Sequence, residues 1–269
     1  MDFGELHDRL VARGYSDDTA DAKIAHDIVL KAVRDSGFHD NITVKGGVVM
    51  SGITDVVRRA TMDLDLDFMH YPLTNVAIRR FVAGLNRVAP CKIRIRGGIL
   101  NLQQQEYKGK RVYLHLVDAG GYQIDTKLDI GVHTYAEVMQ ADFPFKIITD
   151  TGTVMLLVNS VEQIFVEKLK SLLRLGSIST RYKDLFDLCY LTDRASRQTV
   201  GDFLKLYVFG DKKMRERCMA DIARRLQRIF SSKQFMRGLT NPSHAWLAVS
   251  PTDATDKILA YISSLRDGE

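Results

Sequence analysis

Three aspartates alternate with apolar residues in Asp63-Leu64-Asp65-Leu66-Asp67-Phe68. Strict alternation is strand periodicity, so the leucines and Phe68 share one face and the carboxylates the other. Asp is disfavoured in strands, and like charges along one face repel. A divalent cation with oxygen ligands would offset that repulsion; a solvated edge strand is the plainer account of the same residues. Just upstream, Lys45-Gly46-Gly47 follows the β-branched run Ile42-Thr43-Val44 and precedes a helical segment. A glycine pair at such a turn lets backbone approach a ligand closely and aims helix N-terminal N–H groups at it, which suits phosphate. The GxxxxGK[ST] spacing of a P-loop is absent.

Other candidates lie downstream. Residues 122–130 alternate again, with Gln123, Asp125, Lys127 and Asp129 on one face. Asp129 and Asp125 are rivals for a third carboxylate beside Asp63 and Asp65, and spacing alone does not choose between them; a solvated polar face explains them too. Ser160 is a good cap for a helix over 161–174, whose buried arc holds Val161, Ile164, Phe165, Leu169 and Leu172. Lys168 falls inside that arc, where a lysine either snorkels outward or meets a buried anion. Glu167, Lys170 and Arg174 fall outside it. On a helix starting near 180, Asp184 lies at the edge of the apolar side, while Lys183 and Asp187 fall on the polar side. Asp184 is placed to accept from Lys168 or from Arg181, and a structural salt bridge is the bland alternative.

The elements that must position these groups follow from periodicity and breakers. A helix is expected over 18–35, capped by Ser16 or Asp17, and another over 73–88, stopped by Pro90. A β-rich block comes next: strands at 92–96, 99–107 and 111–117, with hairpin chemistry at Lys108-Gly109-Lys110. Strands and a connection are expected over 143–159, then helices over 200–208, 211–230 and 252–265. The composition shift predicts an α+β chain, with an α/β domain at 1–150 and a mainly helical domain at 151–269. Lys212, Lys213, Arg215, Arg217, Arg224, Arg225 and Arg228 make 211–230 strongly basic, either a solvated face or a phosphate contact.

The 269 residues suffice for one large domain or two modest ones, and 45% apolar with 26% charged residues is a soluble globular composition. A net charge of +5 is compatible with an acidic partner such as nucleic acid without demanding one. Cys91, Cys189 and Cys218 lack metal-ligand spacing and suit a reducing compartment. No apolar run reaches membrane-spanning length, so a cytoplasmic protein without a membrane is expected.

Strand, Gly-Gly, helix, then an Asp-x-Asp strand resembles the opening of a polymerase-β-type nucleotidyltransferase domain. Taken with Arg59-Ala60-Thr61, Leu128-Asp129-Ile130-Gly131, Glu167-Lys168-Leu169 and the 181–188 helix, the order is similar to the AbiEii/AbiGii toxin family. These are nucleotidyltransferase-like toxins of bacterial abortive-infection and toxin–antitoxin systems. The likeness covers roughly residues 40–190. It implies a mixed sheet with flanking helices, followed by a helical C-terminal domain that completes the active site and binds the acceptor. By resemblance, Asp63 and Asp65 bind metal with Asp129, favoured over Asp125, and Lys168 and Asp184 are further catalytic positions. Lys45, Gly46, Gly47, Arg59, Thr61 and Lys168 would contact the nucleotide. The implied cofactor is Mg²⁺, two ions; the implied partners are an NTP, an RNA acceptor (a tRNA 3′ end in some members) and a cognate antitoxin.

Competing readings keep part of this set. An antibiotic-type nucleotidyltransferase would modify a small molecule, and a non-catalytic module would keep only the fold. A sugar-nucleotide transferase would need neither the Gly-Gly turn nor Lys168. An EF-hand fails because Phe68 stands where that loop requires Gly. A phosphatase of the Asp-x-Asp-x-Thr type fails because no Thr or Val follows at its offset.

Overall fold

A helix that periodicity did not mark opens the chain: α1 (Phe3–Ala12), capped by the Asp2 carboxylate on the Glu5 N–H, buries Phe3, Leu6 and Leu10. Ser16, one of the two expected caps, forms a capping box with Thr19 at the start of α2 (Asp17–Asp35). This computed structural model describes residues 1–102, 109–133, 135, 138–148 and 152–265. The chain divides into two compact units, Met1–Asn159 and Ser160–Glu269.

In the first unit, β1 (Ile42–Lys45) runs straight into α3 (Gly46–Thr54), and β2 (Asp63–Phe68) returns antiparallel beside β1. Helix α4 (Asn75–Val88) follows, then β3 (Lys92–Leu102), β4 (Gly109–Val117), β5 (Gln123–Val132), β6 (Ala141–Lys146) and β7 (Thr153–Val158). They form a seven-stranded sheet in the order β3-β4-β5-β2-β1-β7-β6. The β2–β5 and β1–β7 pairs are parallel and the other pairs antiparallel, so the sheet is mixed. The strands expected at 92–96 and 99–107 are one strand as far as Leu102, with the register shifting between Arg96 and Leu100. A bulge absorbs the Gly97-Gly98 pair without ending the ladder. The rest of that expectation, 103–108 with Lys108 of the hairpin, lies outside the described residues.

Helix α2 packs on β5 and β7, and α4 on β3. Their side of the sheet takes Leu64, Leu66 and Phe68 of β2, all fully buried. The Phe68 ring meets Tyr71 and Phe81 edge-on, at centroid distances of 5.1 and 5.5 Å. That anchorage fixes the register of β2, and alternation then turns its three aspartates to the other face.

The second unit is helical among the described residues: α5 (Val161–Leu175), α6 (Tyr182–Leu191), α7 (Arg197–Leu204), α8 (Met219–Phe230), α9 (Lys233–Leu239) and α10 (Pro251–Ser263). Ser160 caps α5 through the Gln163 N–H. The helix expected over 211–230 begins only at Met219. Ahead of it Arg217 donates to the carbonyls of Phe209, Asp211 and Met214, and Asp211 pairs with Lys170 at 2.8 Å. These bonds hold 211–217 as an irregular loop. No helix of the described residues is long and apolar enough to cross a membrane.

Candidate active site

Gly46 has φ +69°, a left-handed conformation that L side chains avoid. A Cβ there would collide with the Asp65 carboxylate, and one on Gly47 would lie 2.6 Å from Thr61 Oγ1. The Gly-Gly turn is therefore packed directly on Asp65 and Thr61. Lys45, the N-cap residue of α3, makes no side-chain cap bond, so the first-turn N–H groups of α3 have no side chain closing over them from the cap position. Thr61 Oγ1 also lies 3.4 Å from the Asp63 N–H.

Cross-strand register completes the row. Lys45, Asp65, Asp129 and Arg111 are successive partners across β1, β2, β5 and β4, and Asp63 is the partner of Lys127. Asp125 lies four residues back along β5, opposite His115, and bonds to His115 and Arg96. Asp63, Asp67 and Asp129 each meet a cation of a neighbouring strand. Lys127 Nζ lies 2.5 Å from Asp63, Lys45 Nζ 2.6 Å from Asp67, and the Arg111 guanidinium grips both Asp129 oxygens at 2.7 Å. That carboxylate holds the Arg111 pKa above its ordinary value. The strand repulsion inferred from sequence is thus offset within the fold, by Lys45, which the sequence reading placed at the site, and by Lys127 and Arg111, which it did not. Arg111 carried a signal, since Arg111, Tyr113 and His115 alternate in phase with one face of β4. Arg59 sits in a short 3₁₀ turn and is buried.

Among the described residues, no three His, Cys, Asp or Glu side chains form a metal-binding group. The residues still fit Mg²⁺ as a donor set. That ion takes one or two carboxylates and fills its remaining positions with water and phosphate. Asp63 has 47% of its side chain exposed, and Asp65 adjoins the turn. Asp129 could join only if Arg111 released it.

Behind the turn, a cavity of about 80 Å³ is lined by residues that include His26, Asp27, Val48, Ser51, Ala60 and Thr61. His26 is 3% exposed, its Nε2 has no hydrogen-bond partner among the described residues, and burial pushes its pKa down to about 3. It went unremarked in sequence because it lies on the apolar stripe of α2.

In the second unit, Lys168 is buried, as its place in the apolar arc of α5 predicts, and it meets anions rather than snorkelling. Its Nζ lies 2.5 Å from Asp184 and 2.8 Å from Asp187, and Arg181 Nε lies 2.7 Å from Asp184. Two expectations fail here. Asp187 is not on a polar side but fully buried, because Lys168 draws it inward, and Lys170 is buried against Asp211. A shallow cleft beside the cluster is lined by Lys168, Ser171, Arg181 and Asp184, among others.

The model of a family described as "Nucleotidyl transferase AbiEii toxin, Type IV TA system" matches residues 28–244. The chain belongs to the AbiEii nucleotidyl transferase toxin family. The match takes in the Gly-Gly turn, both Asp-bearing strands and the Lys168–Asp184 cluster. Membership of an AbiEii toxin family also implies an antitoxin as protein partner. Among solved structures, the chain is similar to an antigenic nucleotidyltransferase-like protein from Paracoccidioides brasiliensis, with TM-score 0.43 and 14% identity over 88% of this chain and 92% of that one. None of the curated proteins matches the sequence.

Proposed function

We propose that this AbiEii-family chain transfers a nucleotide from an NTP to an acceptor hydroxyl at the 3′ end of an RNA, a tRNA by family resemblance, and does so as the toxin of a toxin–antitoxin pair. The observation that carries this reading is the packing of the Gly46-Gly47 turn on Asp65 and Thr61, with Asp63 half exposed on the same face. The first-turn N–H groups of α3 hold the triphosphate, and the turn brings it against the carboxylates without a side chain between them. Asp63 and Asp65 would hold Mg²⁺, and Asp129 would join them if Arg111 released it. Bound there, the ions supply charge neutralisation at the α-phosphate and on the departing pyrophosphate.

The acceptor hydroxyl gives its proton to a carboxylate of this face or to water as its oxygen bonds to the α-phosphorus, the α–β phosphoanhydride bond breaks, and pyrophosphate leaves with the bonding electron pair. Lys127 and Arg111, released from Asp63 and Asp129, become available to phosphate oxygens, as does Lys45, and Arg59 supports the turn. Thr61 keeps its hydroxyl beside Gly47. In the second unit, Lys168 and Asp184 are further catalytic positions by family resemblance, with Asp184 holding the lysine in place. A place in the cytoplasm suits a toxin of this kind.

The test is incubation of the purified chain with Mg²⁺, each α-labelled NTP in turn, and total RNA or small acceptors. Label should enter RNA with the wild type and be lost by about a hundredfold or more in folded Asp63→Ala and Asp65→Ala variants. Full activity in both variants would reject the assignment, and label on small acceptors alone would reassign the substrate.

A further inference from the structure

The sheet face that carries Asp63 and Asp65 continues beyond β5. Asp63 partners Lys127, Lys127 partners Tyr113, and Tyr113 partners Arg96. In the neighbouring row Asp125 partners His115, and His115 partners Arg94. Alternation sets these side chains on the face opposite Ile93, Leu114, Leu116, Ile124 and Leu128, which are buried. Three strand steps carry the row about 14 Å from the carboxylates to the sheet edge. Lys92, Arg94, Arg96 and Tyr113 are exposed, Tyr113 to 39%. Asp125 answers Arg96 and His115. Lys92 and Arg94 pair with no carboxylate among the described residues, so the wing is left with net positive charge.

We propose that this face binds the single-stranded 3′ end of the acceptor RNA. Phosphates lie along Arg94, Arg96 and Lys92, a base stacks on Tyr113, and the terminal hydroxyl is delivered to Asp63 and Asp65. The inference rests on the reading that the acceptor is RNA, and adds to it where that RNA lies. An open sheet face with an aromatic ring among cations suits unpaired bases, whose π-faces are free; in a duplex they are already stacked. Cations beside the ring neutralise phosphates whatever the sequence. An acidic protein segment would meet the same charges but would gain nothing from running up to two carboxylates, whereas a reactive terminus must.

The experiment is fluorescence anisotropy of a 5′-fluorescein single-stranded RNA with the full chain, without NTP, over a range of salt. Wild-type binding should weaken steadily with salt, with a slope reduced by about one in Arg94→Ala. Tyr113→Ala and Arg94→Glu should each weaken binding by about tenfold or more, and Tyr113→Phe should keep it. All are exposed positions, and circular dichroism checks their folding. Wild-type affinity in both Tyr113→Ala and Arg94→Glu overturns the proposal, as does equal binding of duplex RNA that ignores Tyr113. Displacement by polyglutamate with the same loss in Tyr113→Ala would give the face to a protein partner and overturn it too. Labelled NTP and total RNA separate the two claims. Unchanged binding while RNA is still labelled removes the face alone; no RNA labelling by the wild type removes the RNA reading, and the face with it.

Discussion

Between pH 7.5 and 5, acid should destabilise the first unit through His26. In an unfolded chain this imidazole titrates near 6.5, whereas in the fold burial pushes it down to about 3, with Lys23 adding repulsion and the Met62 backbone opposing weakly. A folded pKa below the unfolded one means that protonation favours unfolding. The contribution is therefore complete above pH 6.5 and is lost as the pH falls toward 3. At pH 5 the unfolded chain gains a proton that the folded chain refuses, at a cost of about 2 kcal/mol; the full difference, reached near pH 3, is about 5 kcal/mol. Two neighbours titrate with the opposite sign. Burial raises the Asp27 pKa, and the Asp21 carboxylate raises that of His7. Both remain in a His26→Gln variant, which has no titrating group at 26, so comparison with wild type isolates the His26 effect. Urea unfolding at pH 7.5 and pH 5.0 should show the wild type losing about 2 kcal/mol more than His26→Gln across that interval. Equal losses in the two proteins would refute the assignment of a neutral, buried imidazole. The site feels this directly, because His26 lines the same cavity as Ala60 and Thr61, just ahead of Asp63.

Gly46→Ala should lower stability by about 1–2 kcal/mol for its φ of +69° alone and abolish transfer by displacing Asp65. Gly120→Ala, whose Cβ would meet only Asp118 Oδ1 at 3.5 Å, is the control expected to be near neutral in thermal unfolding. Lys168→Met takes the lysine from the fully buried Asp187, while Asp184 keeps Arg181, a change that costs about 3–5 kcal/mol. An unfolding free energy from urea titration within about 1 kcal/mol of wild type would contradict that burial.

Local chemistry carried most of what could be read before the structure. The strand at Asp63–Phe68 is legible because alternation of Asp with Leu and Phe admits one periodicity, and the Ser16, Ser160 and Pro90 signals mark helix ends that are decided within a turn of chain. Lys168 is legible because one charged residue interrupts an apolar arc. Asp187 is not, since its burial depends on a partner on another helix, 19 residues earlier; on its own wheel it is an ordinary polar residue. Lys170 fails for the same reason, with Asp211 as the distant partner. The basic stretch before Met219 is helix-forming in composition, but Arg217 spends its donors on three carbonyls and closes a loop instead.

The clearest divergence concerns what balances the acids. A row of aspartates read alone asks for a cation from outside, because nothing in the strand itself can neutralise it. Pairing registers change that requirement: β5 sets Lys127 beside Asp63, β4 sets Arg111 beside Asp129, and β1 supplies Lys45 to Asp67. These cations come from three other strands, so no window of sequence around Asp63 contains them. Their presence does not compete with a magnesium–triphosphate reading; it gives that reading a mechanism for charge exchange. On that reading a carboxylate that turned from its lysine to Mg²⁺ would leave the lysine beside the incoming phosphates, and the net charge of the face would change little as the substrate arrived. Such a face can fold without metal and still accept a highly charged ligand, which a bare acidic row could not do at comparable cost.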